Sequence, residues 1–208
     1  MRTLVIDTAT AACSVALLEH AAVVAECHEV VGRGHAERLI PMVASLPEGG
    51  RADAILVDCG PGSFTGIRVG LAAARALGIG WAVPVRGYSS MAAIAALGEV
   101  GCDTMAVALI GGHGELFVQR FARDPLAELS SLASLTPAAA AAIIPDDHVF
   151  GSGAVELVRV RGYGVAHDRL PRAVDVLVLP AAFAALDPRP IYGRAADAQP
   201  PAAAAAVQ

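Results

Sequence analysis

The residues best placed to do chemistry form one glycine-rich segment. A strand-like run, Ala54-Ile-Leu-Val57, leads to Gly60-Pro-Gly-Ser-Phe-Thr-Gly-Ile-Arg-Val-Gly70, which opens a long apolar helical run ending near Trp81. Glycines at 60, 62, 66 and 70 cost backbone entropy and are kept where φ is positive or another backbone comes close. A strand, a Gly-rich turn and a helix N-terminus gather free N–H groups and the helix dipole at one spot, which suits an anion. The same glycines also allow close approach between helices. The first use belongs to an enzyme and the second to a docking protein.

Other chemical groupings are sparse. Ser63 is a nucleophile candidate, yet Gly-Pro-Gly-Ser-Phe-Thr-Gly does not fit G-x-S-x-G and no base is assigned to it. The histidines at 20, 28, 35, 113, 148 and 167 show no H-x-x-x-H spacing, and H-E-x-x-H is absent. Cysteines at 13, 27, 59 and 102 form no C-x-x-C pair, so they read as small buried hydrophobes. Asp7 ends the first strand-like run with Thr8 and Thr10 in the following turn. The bland role for Asp7 is to cap that turn with its own side chain.

These residues need elements to hold them. Arg2–Asp7, Ala12–Leu18 and Val23–Val30 read as three strands, with a short turn at 19–22. A helix follows from about His35 to Leu46, then a loop at Pro47–Gly50, a strand at Ala54–Cys59 and the glycine-opened helix. A short strand at Val83–Val85 and a helix at Ser89–Leu97, capped by Ser89 or Ser90, complete this half. A second series starts with a hairpin, Thr104–Ile110 and Glu115–Phe121, turned at Gly111-Gly112-His113-Gly114. A helix near Pro137–Ile144, a strand at His148–Gly151 and helices around Ala154–Val160 and Pro180–Leu186 follow. The reading is therefore α/β, with residues 1–98 as one lobe, 99–198 as a smaller one, and a disordered Pro/Ala tail at 199–208.

Two helices carry apolar faces. On the first, His35, Leu39, Met42, Val43 and Leu46 share a face, and Pro41 is expected to kink it. On the second, Gly66, Gly70, Ala73 and Leu77 form one face, and Val69 widens the apolar surface. A helix apolar on so many sides needs more cover than one sheet supplies. The first helix and a partner protein are the expected covers, and a second copy of the same surface would give a homodimer.

Composition limits the function. Hydrophobic residues make up 55% of the 208-residue chain, and the net charge is −5, which disfavours nucleic-acid binding by this chain alone. All 15 cationic residues are arginine; this reads as drift in a GC-rich genome. No run reaches the ~18 apolar residues needed to span a membrane, and Asp7 interrupts the N-terminal run too early for a signal peptide. A cytoplasmic protein without membrane contact is expected.

Several stretches resemble the TsaB (YeaZ) family. They are Leu4-Val-Ile-Asp-Thr-Ala-Thr10 with Cys13-Ser-Val-Ala16, Arg33-Gly-His-Ala-Glu-Arg-Leu-Ile-Pro-Met-Val43, Gly60–Gly70, and Pro190-Ile-Tyr-Gly-Arg194 with Ala195-Ala-Asp197. The resemblance implies two ribonuclease-H-like lobes in tandem, of the actin-like ATPase and sugar-kinase-like superfamily, with the second lobe abbreviated. It implies a non-catalytic subunit that binds a TsaD-like transferase, with a TsaE-like ATPase in the assembled complex and homodimers when alone. The product is threonylcarbamoyladenosine beside the anticodon of tRNAs reading A-starting codons, with tRNA met only through the complex. The partner surface is expected at the ten helix residues from His35 to Leu77 named above.

No cofactor of its own is implied, although ATP or ADP at the complex interface is. In actin-like ATPases the first turn faces nucleotide phosphates and an acidic residue there holds a metal through water. That puts Asp7, Thr8, Thr10, Gly111 and Gly112 forward as contacts. No metal is expected, because Arg86–Ala93, which matches the metal-binding region of TsaD relatives, has neither histidine nor carboxylate. One departure stands out: Leu109-Ile-Gly-Gly-His113 replaces an Ile-Asp-Ala-Arg-like stretch, so an acidic and a basic side chain are missing from the cleft. The competing readings are an independent ATPase or small-molecule kinase of the same fold, and a peptidase using Ser63.

Overall fold

The computed structural model describes residues 1–98 and 101–193. The first lobe is built from β1 (Arg2–Asp7), β2 (Ala12–Glu19), β3 (Ala22–Val30), α1 (His35–Ser45), β4 (Ala54–Asp58), α2 (Phe64–Trp81), β5 (Val85–Tyr88) and α3 (Ser90–Ala96). Its sheet has the order β3-β2-β1-β4-β5. Strands β1, β2 and β3 are antiparallel neighbours, whereas β4 and β5 join in parallel through helical crossovers. The β2–β3 turn is His20-Ala21, both at positive φ (51° and 63°), the geometry of a tight hairpin.

The second lobe contains β6 (Thr104–Ile110), β7 (Leu116–Ala122), β8 (Ala127–Glu128), β9 (Ala133–Leu135), α4 (Pro137–Ile143), β10 (His148–Phe150), α5 (Ala154–Arg161) and β11 (Val165–His167). Its sheet runs β11-β10-β6-β7-β8, with β9 also paired to β7. The order of strands and helices repeats that of the first lobe in shortened form. The tandem-lobe architecture read from the sequence is present.

Period-two alternation sorts the strand residues into separate cores. Leu4 and Ile6 face α1 and α2, where Leu39, Met42, Val43, Ile67, Leu71 and Ala74 pack on them. Val5 faces the other way. It joins Tyr88, Met91 and Ile94 to Met105, Val107, Leu109, Phe117 and Phe150 of the second lobe in one continuous core. Ala106, Ala108, Val118 and Val149 point to α4 and α5. Burying a side chain of Leu39's size contributes about 1.5–3 kcal/mol, so the α1 stripe alone anchors that helix.

Several local expectations change. The fifth strand lies at Val85–Tyr88 rather than 83–85, because Val83 N–H donates to the Gly78 carbonyl (3.0 Å) and finishes α2, while Pro84 has no N–H to give. The helix expected at 180–186 is only a 3-10 turn at Ala181–Ala184. Beyond it, Leu186 exchanges backbone hydrogen bonds with Gly87 (2.8 and 3.0 Å), so the chain leaves the turn as an extension of the first sheet. Helix α1 continues from His35 to Ser45 with Pro41 inside it.

The segment after β11 returns to the first lobe. Arg172 pairs with Glu26 (2.6 Å), Ala173 N–H donates to Ser14 Oγ (3.0 Å), and Ile191 N–H donates to the Cys59 carbonyl (2.7 Å). The 98/99 boundary, Arg194–Asp197 and the 199–208 tail lie outside the described residues.

Candidate functional site

The glycine segment is pressed against the β1–β2 turn. Thr8 Oγ1 donates to the Gly66 carbonyl (2.7 Å), and Ser63 N–H donates to the Ala9 carbonyl (2.6 Å). A Cβ on Gly62 would overlap the Ala9 carbonyl, and one on Gly66 would overlap that of Thr8. Ser63 caps α2 by accepting from Gly66 N–H (3.2 Å), and Gly60 N–H donates to Asp58 Oδ1 (2.8 Å). The amides of Gly60, Ser63 and Gly66 are thus satisfied inside the chain. The close approach at Gly62 and Gly66 is made by the chain's own first turn, where an approach between helices was expected.

That engagement changes the standing of the phosphate-contact residues. Asp7 is fully buried, with Oδ2 accepting from the Tyr88 hydroxyl (3.0 Å), and Thr8 is turned onto Gly66. Neither lines the cleft between the lobes; Thr10, Gly111 and Gly112 do. Burial and the neighbouring Asp58 push the Asp7 carboxyl well above the usual carboxylate range, and burial pushes Asp58 up to about 6. Among the described residues no three His, Cys, Asp or Glu side chains gather as a metal site.

The cleft itself encloses about 920 Å3 and is walled by Leu109, Ile110, Phe117 and Ile191, with Thr10, Ser63, Ser134 and Ser152 as polar points. Ser134 Oγ donates to Glu115 (2.6 Å), and Ser152 Oγ accepts from Ile110 N–H (3.1 Å). At the rim the Arg68 guanidinium lies 3.5 Å from the Phe64 ring centre, and its Nε donates to the Tyr192 hydroxyl (3.2 Å). The sequence reading did not foresee this cluster. Its signal was the Pro190-Ile-Tyr motif, whose place beside α2 no local pattern reveals.

The helical residues divide cleanly. His35 Nε2 lies 2.9 Å from the Thr10 carbonyl and 3.2 Å from that of Ala12, so this nitrogen carries the proton and ties α1 to the first turn. His35, Leu39, Met42, Val43, Leu46, Gly66 and Gly70 are buried within the lobe and offer no surface to a partner. Their periodicity records packing on the sheet and, for the glycines, contact with the Thr8 turn. Val69, Ala73 and Leu77 remain half-buried at the edge of α2, packed in part against the first-lobe core, beside exposed Ala72 and Ala76. Ile79, 83% exposed, extends this surface, and on α1 the outward residues include Ala36, Ile40 and Ala44.

The family model described as TsaD, tRNA N6-adenosine threonylcarbamoyltransferase, matches residues 25–132. The tRNA threonylcarbamoyladenosine biosynthesis protein TsaB of Escherichia coli K12 is 37% identical over 131 residues, 60% of this chain and 56% of that protein. Its Haemophilus influenzae counterpart is 40% identical over 97 residues, 44% and 41% of the two chains. The chain spans about half the length of the curated relatives it matches. Among solved structures, YeaZ from Pseudomonas aeruginosa superposes with a TM-score of 0.77 at 33% identity, over 92% of this chain and 99% of that one. A second Pseudomonas aeruginosa structure, described as similar to peptidase YeaZ, matches with a TM-score of 0.76 at 31% identity, over 93% and 99%.

Proposed function

The chain belongs to the TsaB (YeaZ) family, and from that premise we propose that it is a non-catalytic subunit of the assembly forming threonylcarbamoyladenosine in tRNA. It docks a TsaD-like transferase through the outer side of α2, centred on Val69, Ala73 and Leu77, with α1 beside it. Docking favours the active arrangement of the transferase, so the effect on rate is a bias between conformations. Threonylcarbamoyl is then placed on the adenosine beside the anticodon of tRNAs reading A-starting codons. A TsaE-like ATPase joins the assembly, tRNA is met only through it, and ATP or ADP occupies the complex interface. Alone, the same surface pairs with a second copy.

One observation carries this reading. The Gly60, Ser63 and Gly66 amides are bonded within the chain and Asp7 is sealed from the cleft, whereas α2 leaves small apolar Ala72 and Ala76 and the larger Ile79 exposed beside Arg68 and Arg75. Small residues at spacing four let a partner helix come close enough for backbone dispersion contacts. The test is co-purification with the transferase of the same cell. Val69→Asp should abolish it while leaving the fold intact; full association by that variant would remove the surface from the proposal.

The roomy cleft favours a second reading, an independent ATPase or kinase. That reading requires nucleotide turnover by the purified chain alone, lost on blocking the cleft with Gly112→Trp. No turnover above a mock preparation would dismiss it.

A further inference from the structure

Four polar side chains cross the first sheet in one row. Asp7 pairs with Ser14 across β1 and β2, and Asp58 pairs with Tyr88 across β4 and β5. Ile6 and Val57 are register partners, so Asp7 and Asp58 follow side by side at the ends of adjacent parallel strands. The row lies on the face that packs against the second lobe, below the turns whose residues 9–11 and 62–63 line the cleft. Every member of it is fully buried.

Two carboxyl groups in such a place require compensation, and the hydrogen bonds supply it unevenly. Asp58 accepts from Gly60 N–H at Oδ1 (2.8 Å) and from Ser90 Oγ at Oδ2 (2.6 Å). Asp7 accepts from Tyr88 at Oδ2 and is also drawn on by the Ala9 amide, yet its buried Oδ1 has no partner within hydrogen-bond distance among the described residues. The register of β1 and β4 sets the two carboxyl groups side by side on one buried face, where each bears on the other's proton affinity. No arginine or histidine forms an ion pair with either one among the described residues. The other titratable groups nearby are the Tyr88 hydroxyl and the Cys13 and Cys59 thiols, with Asp175 acting on Tyr88 from the 3-10 turn at Ala173–Val178. None of these is a cation, so the row offers a proton no competitor.

We propose that Asp7 and Asp58 hold one proton between them at neutral pH, with Asp7 Oδ1 as the neutral acid donating to the Asp58 carboxylate. The pair then carries one negative charge, stabilised by the Gly60 and Ser90 donors. The orphan oxygen gains the partner it lacks. The proton joins the strand below the first turn to the strand below the glycine segment, so a pH-sensitive latch sits under the floor of the cleft. It operates whether or not the chain joins an assembly.

The sign of the pH effect follows from linkage. Both carboxyls are raised above their unfolded value, so the native state binds more protons than the unfolded chain. Their stabilising contribution is complete at acid pH below that unfolded value. It falls as pH rises through about 6, where Asp58 ionises, and falls again when Asp7 does. Asp7→Asn keeps the shape and puts an amide donor where the shared proton was.

Infrared difference spectroscopy of the whole chain tests this. Wild type at pH 7.5 should show the carbonyl stretch of a buried neutral carboxyl, absent from Asp7→Asn. Between pH 6.5 and 9 the wild-type Tm should fall by about 2–4 °C more than that of Asp7→Asn. Tyr88→Phe, which removes the donor to ionised Asp7, should move loss of the infrared band to higher pH. Absence of the band in wild type overturns the proposal by itself, even if a variant fails to fold. An unchanged band in Asp7→Asn, equal slopes, or an unmoved titration in Tyr88→Phe would do so as well.

Discussion

The hydroxyl of Thr8 donates a 2.7 Å hydrogen bond to the carbonyl of Gly66, joining the first turn of the chain to the first turn of α2. Gly70, one helical turn further on, faces the same Thr8 hydroxyl. The contact fixes the rotation of α2 about its axis. Gly66, Gly70 and Ala74 are turned inward, Val69, Ala73 and Leu77 lie half-buried at the edge of that face, and Ala72, Ala76 and Ile79 come to the surface.

Glycines along α2 should therefore respond in opposite ways to the same change. Gly66→Ala drives a methyl into the Thr8 carbonyl and is expected to cost about 1–3 kcal/mol or more. Gly80→Ala meets nothing within 4 Å and should stabilise the protein by roughly 0.5–1 kcal/mol through helix propensity. Urea midpoints of the two variants check both signs.

Much of the fold was legible because its periodicities are long. Strands β1 to β3 and helix α2 each run far enough for their pattern to show. Strands β8, β9 and β11 span three residues or fewer, too short for a period of two to register. The C-terminal return was illegible for a different reason. It rests on Leu186 meeting Gly87 and Ile191 meeting Cys59, contacts between residues about a hundred or more positions apart.

At the site, residue types were legible but their direction was not. His35, Leu39 and Met42 were read as partner-facing because an amphipathic stripe looks the same whether it meets a sheet or another protein. Asp7 reads as a cap on its own turn, with a phosphate contact suggested only by the likeness to actin-like ATPases, and neither use names its buried partner. Its neighbour in space, Asp58, lies 51 positions away in sequence, and only the parallel pairing of β1 with β4 brings the two together.

His35 should behave as a structural tie. Its ring nitrogen serves two carbonyls from a nearly buried position, so His35→Ala should cost about 1–3 kcal/mol by leaving them unpartnered. Chemical denaturation measures the loss. Exchange protection of the Ala12 amide should fall with it.

Ser63 should behave as a helix cap. Ser63→Ala removes the acceptor for Gly66 N–H and is expected to lower stability by about 0.5–2 kcal/mol, read from the thermal midpoint. Ser63→Asp should restore it. If peptide cleavage by the purified chain disappears in Ser63→Ala and stays absent in Ser63→Asp, the serine has a chemical role that capping does not explain.

The surface of α2 should discriminate fold from association. Ala73→Arg adds a charged, bulky side chain at a half-buried outer position, and should weaken binding to the transferase subunit at least tenfold, about 1.4 kcal/mol. Its Tm should stay within a few degrees of wild type. Titration calorimetry and a thermal scan on one preparation give the two numbers.

The central claim is that this chain makes a transferase work without doing chemistry itself. The most direct test reconstitutes threonylcarbamoyladenosine formation on unmodified tRNA from the purified transferase, its ATPase partner and threonylcarbamoyl-adenylate, and follows the product by mass spectrometry. Adding the wild-type chain should raise the rate severalfold, adding Val69→Asp should leave it at the basal level, and Asp7→Asn should act like wild type. Equal rates with and without the chain, or full stimulation by Val69→Asp, would contradict the account.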